Sequence, residues 1–201
     1  KSSIFMYIYI NMYYIIYIII LLIILYIYHI YHIRIKKIFF NHIYIDNNNY
    51  TLKILKCIDD NDWSSTRAKY NNVHEHTKSI TIIDQKQNIL VDENKYYAVF
   101  DFLKNFINKY KGELYTVKIV LLPKNKEIKP HIDGIRNNKK YNNYYDNKDR
   151  YHLVLMGDYY LYCNNNVKYL KEGDIWWFNN KKIHSVKSIS DRISLIFDIK
   201  H

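Results

Sequence analysis

Two histidines, an aspartate and three further cationic side chains in this chain have types and spacings that could do chemistry. Pro130-His131-Ile132-Asp133-Gly134 comes first, Arg150-Tyr151-His152-Leu153 follows, and His184 and Arg192 complete the set. On an extended strand residues i and i+2 share a face, so His131 and Asp133 can reach one metal ion together. His184, roughly fifty residues further on, supplies a second imidazole. Two imidazoles and one carboxylate leave three coordination positions open, the facial pattern of non-haem Fe(II) chemistry. Arg192 offers a planar fork that pairs with a carboxylate through two parallel hydrogen bonds, which lysine cannot match. Arg150 and His152, again i and i+2, form a second cationic pair on one strand face. Burying an unpaired guanidinium is costly, so an Arg-x-His facing inward points to a ligand.

The elements that position these residues are mostly strands. After Gly112 the apolar pattern runs with period two, predicting strands at Leu114–Leu122, Tyr151–Leu155, Tyr159–Cys163, Asp174–Phe178, Ile183–Val186 and Ile193–Ile199. Asn164-Asn165-Asn166, Glu172-Gly173-Asp174, Asn179-Asn180 and Ser190-Asp191 supply turn residues between them. Short strands at near-regular spacing argue for a β-sandwich or barrel. The polar stretch Arg136–Asp149 is expected as a long lid or binding loop. Trp176, Trp177 and Phe178 lie just before His184 and are candidates to wall a pocket, or simply to pack.

Upstream, Tyr96, Val99, Phe100, Leu103, Phe106, Ile107 and Tyr110 recur at helical spacing and predict a core-facing helix, Tyr96–Tyr110. Asp92 is its expected N-terminal cap and Gly112 its left-handed stop. Ser79–Ile83 alternates like a strand, and Thr51–Ile58 is expected as a short edge strand. Asp59-Asp60-Asn61-Asp62 is expected as a turn or helix cap. It lacks the central glycine and later glutamate of an EF-hand. His74 and His76 flank Glu75, and the expectation is one buried histidine and one exposed.

Bulk composition sets outer limits. The 201 residues suffice for one ordinary domain plus an appendage. Lys and Arg number 30 against 19 Asp and Glu, a formal charge of +11. Such an excess suits nucleic acid, anionic lipid or an acidic substrate. The lysines are scattered rather than striped, and the chain is also rich in Tyr, Ile and Asn, so AT-rich codon usage accounts for much of it. The two cysteines, Cys57 and Cys163, form neither a disulfide framework nor a zinc cluster.

Residues 4–30 are almost unbroken Ile, Leu, Tyr and Met, long enough at ~1.5 Å per residue to cross a bilayer. His29, His32, Arg34, Lys36 and Lys37 follow, which would place the C-terminal side in the cytoplasm. The competing reading is upstream sequence that is never translated, since the chain begins with Lys. The expected organisation is a hydrophobic segment and basic flank over 1–45, a linker over 46–62 and a domain over 63–201. The catalytic domain is expected to be membrane-anchored on the cytoplasmic side, or cytoplasmic if the first segment is not made.

PHIDG, RYHLVL, EGDIWWFNNKKIHSV and DRISLIFDI, in that order, together with GELYTVKIVLLPKNKEIKPH and the Trp63/His74/Thr77 segment, resemble the aspartyl/asparaginyl β-hydroxylase family over roughly 63–200. The resemblance implies a mainly β fold with some α: a double-stranded β-helix, the cupin-like jelly roll, with a supporting helix. It implies Fe(II) as cofactor with 2-oxoglutarate and O2 as cosubstrates. Carried over, His131 and His184 match the iron-binding histidines and Arg192 the arginine that pairs with a 2-oxoglutarate carboxylate. Arg150 and His152 match the family's Arg-x-His, which contacts the other end of the cosubstrate near the metal. Animal members have glycine where this chain has Asp133, so a complete triad of His131, Asp133 and His184 is expected here. The spacing from His184 to Arg192 is also slightly shorter than in those members.

The activity so implied is hydroxylation of an Asp or Asn residue in a protein or peptide, or of a related free amino acid. Two other classes compete. A non-catalytic cupin-like binding module at a membrane would have no reason to keep the whole ligand set. A basic nucleic-acid-binding protein would rest on the net charge and on Arg136, Lys139, Lys140 and Lys148, but Asp146 and Asp149 interrupt that loop.

Overall fold

The structure, a computed structural model, describes residues 14–28, 39–43, 50–65, 72–85, 89–133, 135–136, 139–140 and 147–201. The chain divides into two compact units, Lys1–Ile38 and Phe39–His201. In the first, residues 14–28 are helical. No helix among the described residues is long and apolar enough to cross a membrane. The membrane-spanning helix expected over 4–30 is therefore unsupported, and the rest of that tract lies outside the described residues.

The second unit is built from strands. In chain order these are β1 (Phe40–Ile43), β2 (Lys78–Asp84), β3 (Ile89–Leu90), β4 (Glu113–Leu122), β5 (Glu127–His131), β6 (Ile135–Arg136), β7 (Lys139–Lys140) and β8 (Lys148–Met156). β9 (Tyr159–Cys163), β10 (Asn166–Leu170), β11 (Ile175–Phe178), β12 (His184–Ser188) and β13 (Arg192–Lys200) follow. Seven form one sheet in the order β1-β11-β8-β13-β4-β2-β3, and four form a second in the order β10-β9-β12-β5. All pairings are antiparallel. β6 and β7 make a separate two-stranded ribbon within the expected long loop, and residues 141–146 of that loop lie outside the described set.

Alternation along the strands sorts side chains into two layers. On β13, Leu195, Phe197 and Ile199 join a core with the helices, while Arg192, Ser194 and Asp198 are buried on the other face. On β8, Tyr151, Leu153 and Leu155 go to the helix side, and Val154 faces between the sheets. Phe40, Leu122, Ile128, Val154, Tyr159, Leu161, Cys163, Leu170, Phe178 and Val186 fill the space between the sheets. This is a cupin-like jelly roll whose interior is apolar at one end and carries charged side chains at the other.

Two helices cover the outer face of the large sheet. α1 (Tyr50–Lys56) and α2 (Tyr97–Tyr110) pack on it through Ile54, Val99, Phe102, Leu103 and Phe106. The edge strand expected over 51–58 is instead the helix α1, which lies within the stretch 46–62 expected as a linker. Leu52 and Ile54 fit a period of two, but Tyr50, Ile54 and Cys57 fit a helical period, and burial of Ile54 decides. Asp92 does not cap α2. It accepts from the Asn94 N–H at 2.9 Å in a turn ahead of the helix, and Tyr96 takes the N-cap position without a side-chain bond. At the other end, Lys111 (φ 61°) and Gly112 (φ 113°) leave the helix in left-handed geometry, as the sequence predicts.

Candidate metal centre and anion pocket

Three donor side chains meet where β5 and β12 pair. His131 ends β5, His184 begins β12, and the two face each other directly in the ladder. The register slips between His184 and Val186, an irregularity of the kind that re-aims side chains. Asp133 lies two residues past His131 in the following turn. One donor atom from each of the three lies within 4.8 Å of the others. His131 Nε2 stands 3.6 Å from Asp133 Oδ1, and His184 Nε2 stands 3.9 Å from Asp133 Oδ2.

The backbone fixes both imidazoles. His131 Nδ1–H donates to the Lys129 carbonyl at 2.8 Å, and His184 Nδ1–H to the Lys182 carbonyl at 2.9 Å. Each bond leaves the Nε2 lone pair turned toward the centre, the arrangement a metal-binding histidine needs. Burial is the main force pushing the His184 pKa down to about 4, so it is neutral near pH 7. Burial alone would raise the Asp133 pKa, but the charge of Arg150 and the neighbouring histidines hold it well below the ordinary carboxylate value. The site thus offers two imidazole nitrogens, that of His184 neutral, and one ionised carboxylate.

Asp133 is clamped from behind. Arg150 Nη1 donates to its Oδ2, and Asn180 Nδ2 donates to the same oxygen at 3.0 Å. The Asp133 N–H donates to the Asn180 carbonyl at 3.2 Å. Arg150 is itself gripped by Asp198, through Nε to Oδ1 at 2.7 Å and Nη2 to Oδ2 at 2.8 Å. The sequence reading placed Arg150 on the cosubstrate; in the structure its fork is filled by Asp198 and its remaining arm reaches Asp133. Asn180 and Asp198 were not singled out from sequence. Asn180 looked like turn material and Asp198 like the end of a strand.

Arg192 differs from Arg150 in having no carboxylate partner among the described residues. It is fully buried, with Nε donating to Ser194 Oγ at 2.9 Å and Nη2 3.5 Å from His152 Nδ1. Its guanidinium lies over the Tyr159 ring, 4.0 Å from the centroid. Nη1 is buried without a hydrogen-bond partner. A buried, uncompensated guanidinium with an orphaned donor is costly unless an anion completes it. His152 is buried, and desolvation followed by the charges of Arg192 and Arg150 holds its pKa well below 6.5, so it too is neutral. Phe178 joins the two clusters, its ring 4.9 Å from His152 and 5.0 Å from His184.

All six side chains expected from the sequence therefore share one polar region of the jelly-roll interior. Of the three aromatics before His184, Phe178 and Trp176 belong to the core between the sheets, while Trp177 packs on the helix side. His74 is buried with its ring edge-on to His131 at 5.1 Å, and His76 is half-buried. Thr77 secures the turn carrying His74, its N–H and Oγ1 both donating to the His74 carbonyl at 2.9 Å. The donor set suits a divalent transition ion with open positions, and Arg192 suits a carboxylate.

A jelly roll with two histidines and a carboxylate at one end of its interior defines a cupin-like protein with a donor set that could hold a metal ion. More particularly, the profile described as Aspartyl/Asparaginyl beta-hydroxylase matches residues 52–201, and the chain belongs to that family. It is by that membership an oxygenase of the hydroxylase class. The fold is similar to a prolyl-4-hydroxylase from Pseudomonas putida, with a TM-score of 0.50 and 14% identity, covering 81% of this chain and 92% of the other. A weaker likeness is to YcfD, a ribosomal oxygenase from Escherichia coli (TM-score 0.45, 9% identity, 62% of this chain and 31% of that one). KdgF from Halomonas sp. is similar at TM-score 0.41 and 10% identity, over 70% and 86% of the two chains. No curated protein matches the sequence.

Proposed function

We propose that this chain is an Fe(II)- and 2-oxoglutarate-dependent hydroxylase acting on an Asp or Asn residue of a protein, or on a related amino-acid substrate. The observation that carries the reading is Arg192: a fully buried guanidinium with an orphaned Nη1, held in the same interior as the His131/Asp133/His184 set. An anion long enough to reach both suits the pair, and a dicarboxylate with a ketone beside one end can serve both at once. Fe(II), when bound, would supply activation of O2 coupled to decarboxylation of 2-oxoglutarate to succinate.

The chain's own tasks follow from the geometry. His131 and His184 turn their Nε2 atoms toward the centre, and Asp133 stays ionised because Arg150 stands behind it. Arg192 receives the distal carboxylate and Ser194 keeps its Nε side occupied, so the free edge is directed to the ligand. His152 faces the metal-proximal end of the same ligand. Phe178 and Val186 supply apolar walls that limit water access. Family membership is what points to a protein or peptide substrate.

The test is succinate release by purified protein given Fe(II), 2-oxoglutarate and O2, compared with His131→Ala and Asp133→Ala. Both variants should lose turnover while keeping the circular-dichroism spectrum of the wild type. Undiminished succinate production in both would overturn the assignment.

A further inference from the structure

Tyr159 is the first residue of β9 in the four-stranded sheet, yet it reaches two side chains of the seven-stranded one. It is completely buried. The Arg192 guanidinium carbon lies over its ring, 4.0 Å from the centroid, and its hydroxyl is 3.1 Å from His152 Nδ1. We propose that Tyr159 is the positioning residue that sets both cosubstrate-holding side chains, its ring aiming Arg192 and its hydroxyl fixing the tautomer of His152. This rests on the reading of Arg192 and His152 given above.

The tautomer follows from the donor inventory. Arg192 Nη2 also faces His152 Nδ1, at 3.5 Å, and a guanidinium can only donate. A neutral imidazole whose Nδ1 met that N–H with another N–H would leave two donors opposed. Nδ1 is therefore the acceptor, and the Tyr159 O–H donates to it. The single imidazole proton then sits on Nε2, which makes His152 a donor on its opposite edge. A donor there complements a carboxylate, whereas the other tautomer would offer it a lone pair and repel it. The ring of Tyr159 acts on the other partner. A planar cation held over an aromatic face has its movement restricted, which favours one direction for Nη1. Nothing in the sequence singles this out, because Tyr159 reads as one more tyrosine in a Tyr-rich strand.

Two measurements decide the matter. Imidazole 15N shifts of the wild-type protein without added metal should show His152 protonated at Nε2 with Nδ1 accepting. An Nδ1–H tautomer would overturn the proposal. Anaerobic titration of 2-oxoglutarate into Mn(II)-loaded protein should then give about tenfold weaker binding for Tyr159→Phe, the scale of one lost buried hydrogen bond. Tyr159→Leu, which also removes the stacking face, should be weaker still. The metal affinity of Tyr159→Phe should match the wild type, which a general loss of structure would not allow. Unchanged 2-oxoglutarate affinity in Tyr159→Phe, with wild-type binding intact, overturns the role of Tyr159 alone. Absence of 2-oxoglutarate binding in the wild type overturns the cosubstrate reading, and the role of Tyr159 falls with it.

Discussion

At the residue scale, the two arginines of the site have opposite circumstances. Arg150 is gripped by Asp198 and reaches Asp133, so it acts on the metal centre from behind. Asp198→Asn removes one charge of that clamp while keeping its shape. Metal affinity should fall ~10–100-fold, the usual cost of disturbing the hydrogen-bonded surroundings of a metal ligand, while the 2-oxoglutarate binding proposed for Arg192 is spared. Competitive metal titration reads this, and an unchanged affinity would show that Arg150 braces Asp133 without help from Asp198. His152 gives a pH signature. Its folded-state pKa lies well below 6.5, with burial first and the two arginines second as causes. Above 6.5 both folded and unfolded chains carry it neutral and it makes no difference. As the pH drops below 6.5 the unfolded chain takes up a proton that the folded one refuses, so stability falls. Urea melts at about pH 7.5 and about pH 5.5 should show a smaller acid loss for His152→Asn than for wild type. An equal loss would place the acid sensitivity elsewhere.

At the element scale, α2 is a support for the sheet that carries Arg150, His152 and Arg192. Phe106 is fully buried on it and meets the rings of Phe102, Tyr110, Tyr151 and Phe197. Phe106→Ala should cost ~3–5 kcal/mol in denaturant unfolding, since the aromatic cluster cannot collapse onto the gap. A loss below about 1 kcal/mol would mean that the helix layer repacks freely. The strands that carry chemistry were legible in the sequence because apolar residues recur at every second position, as Ile193, Leu195, Phe197 and Ile199 do. β5 was not, because Glu127-Ile128-Lys129-Pro130-His131 buries only Ile128 among charged neighbours. α1 was misread because a seven-residue run is too short for period alone to separate helix from strand. Of the candidate metal ligands, His131 and Asp133 were legible through local spacing and His184 through the order of the family-like motifs. Asn180 and Asp198 were not, because their partners stand 47 and 48 residues away in sequence and only the folded sheets bring them together.

At the scale of the whole molecule, a jelly roll uses its apolar interior to hold one cluster of charges dry and aimed. The formal charge of +11 is spread over the chain and needs no nucleic-acid partner to explain it. Any DNA or RNA binding should accordingly be weak and show no preference that survives about 0.2 M salt. The account stands or falls on one pairing, a metal ion at His131, Asp133 and His184 with a dicarboxylate stretched from it to Arg192. Anaerobic calorimetric titration of 2-oxoglutarate into Fe(II)-loaded wild-type protein and into Arg192→Gln tests that pairing directly. The wild type should bind one equivalent, the protein without metal should bind far more weakly, and Arg192→Gln should lose at least about 100-fold in affinity. Equal binding by wild type and Arg192→Gln, or binding indifferent to the metal, would contradict it.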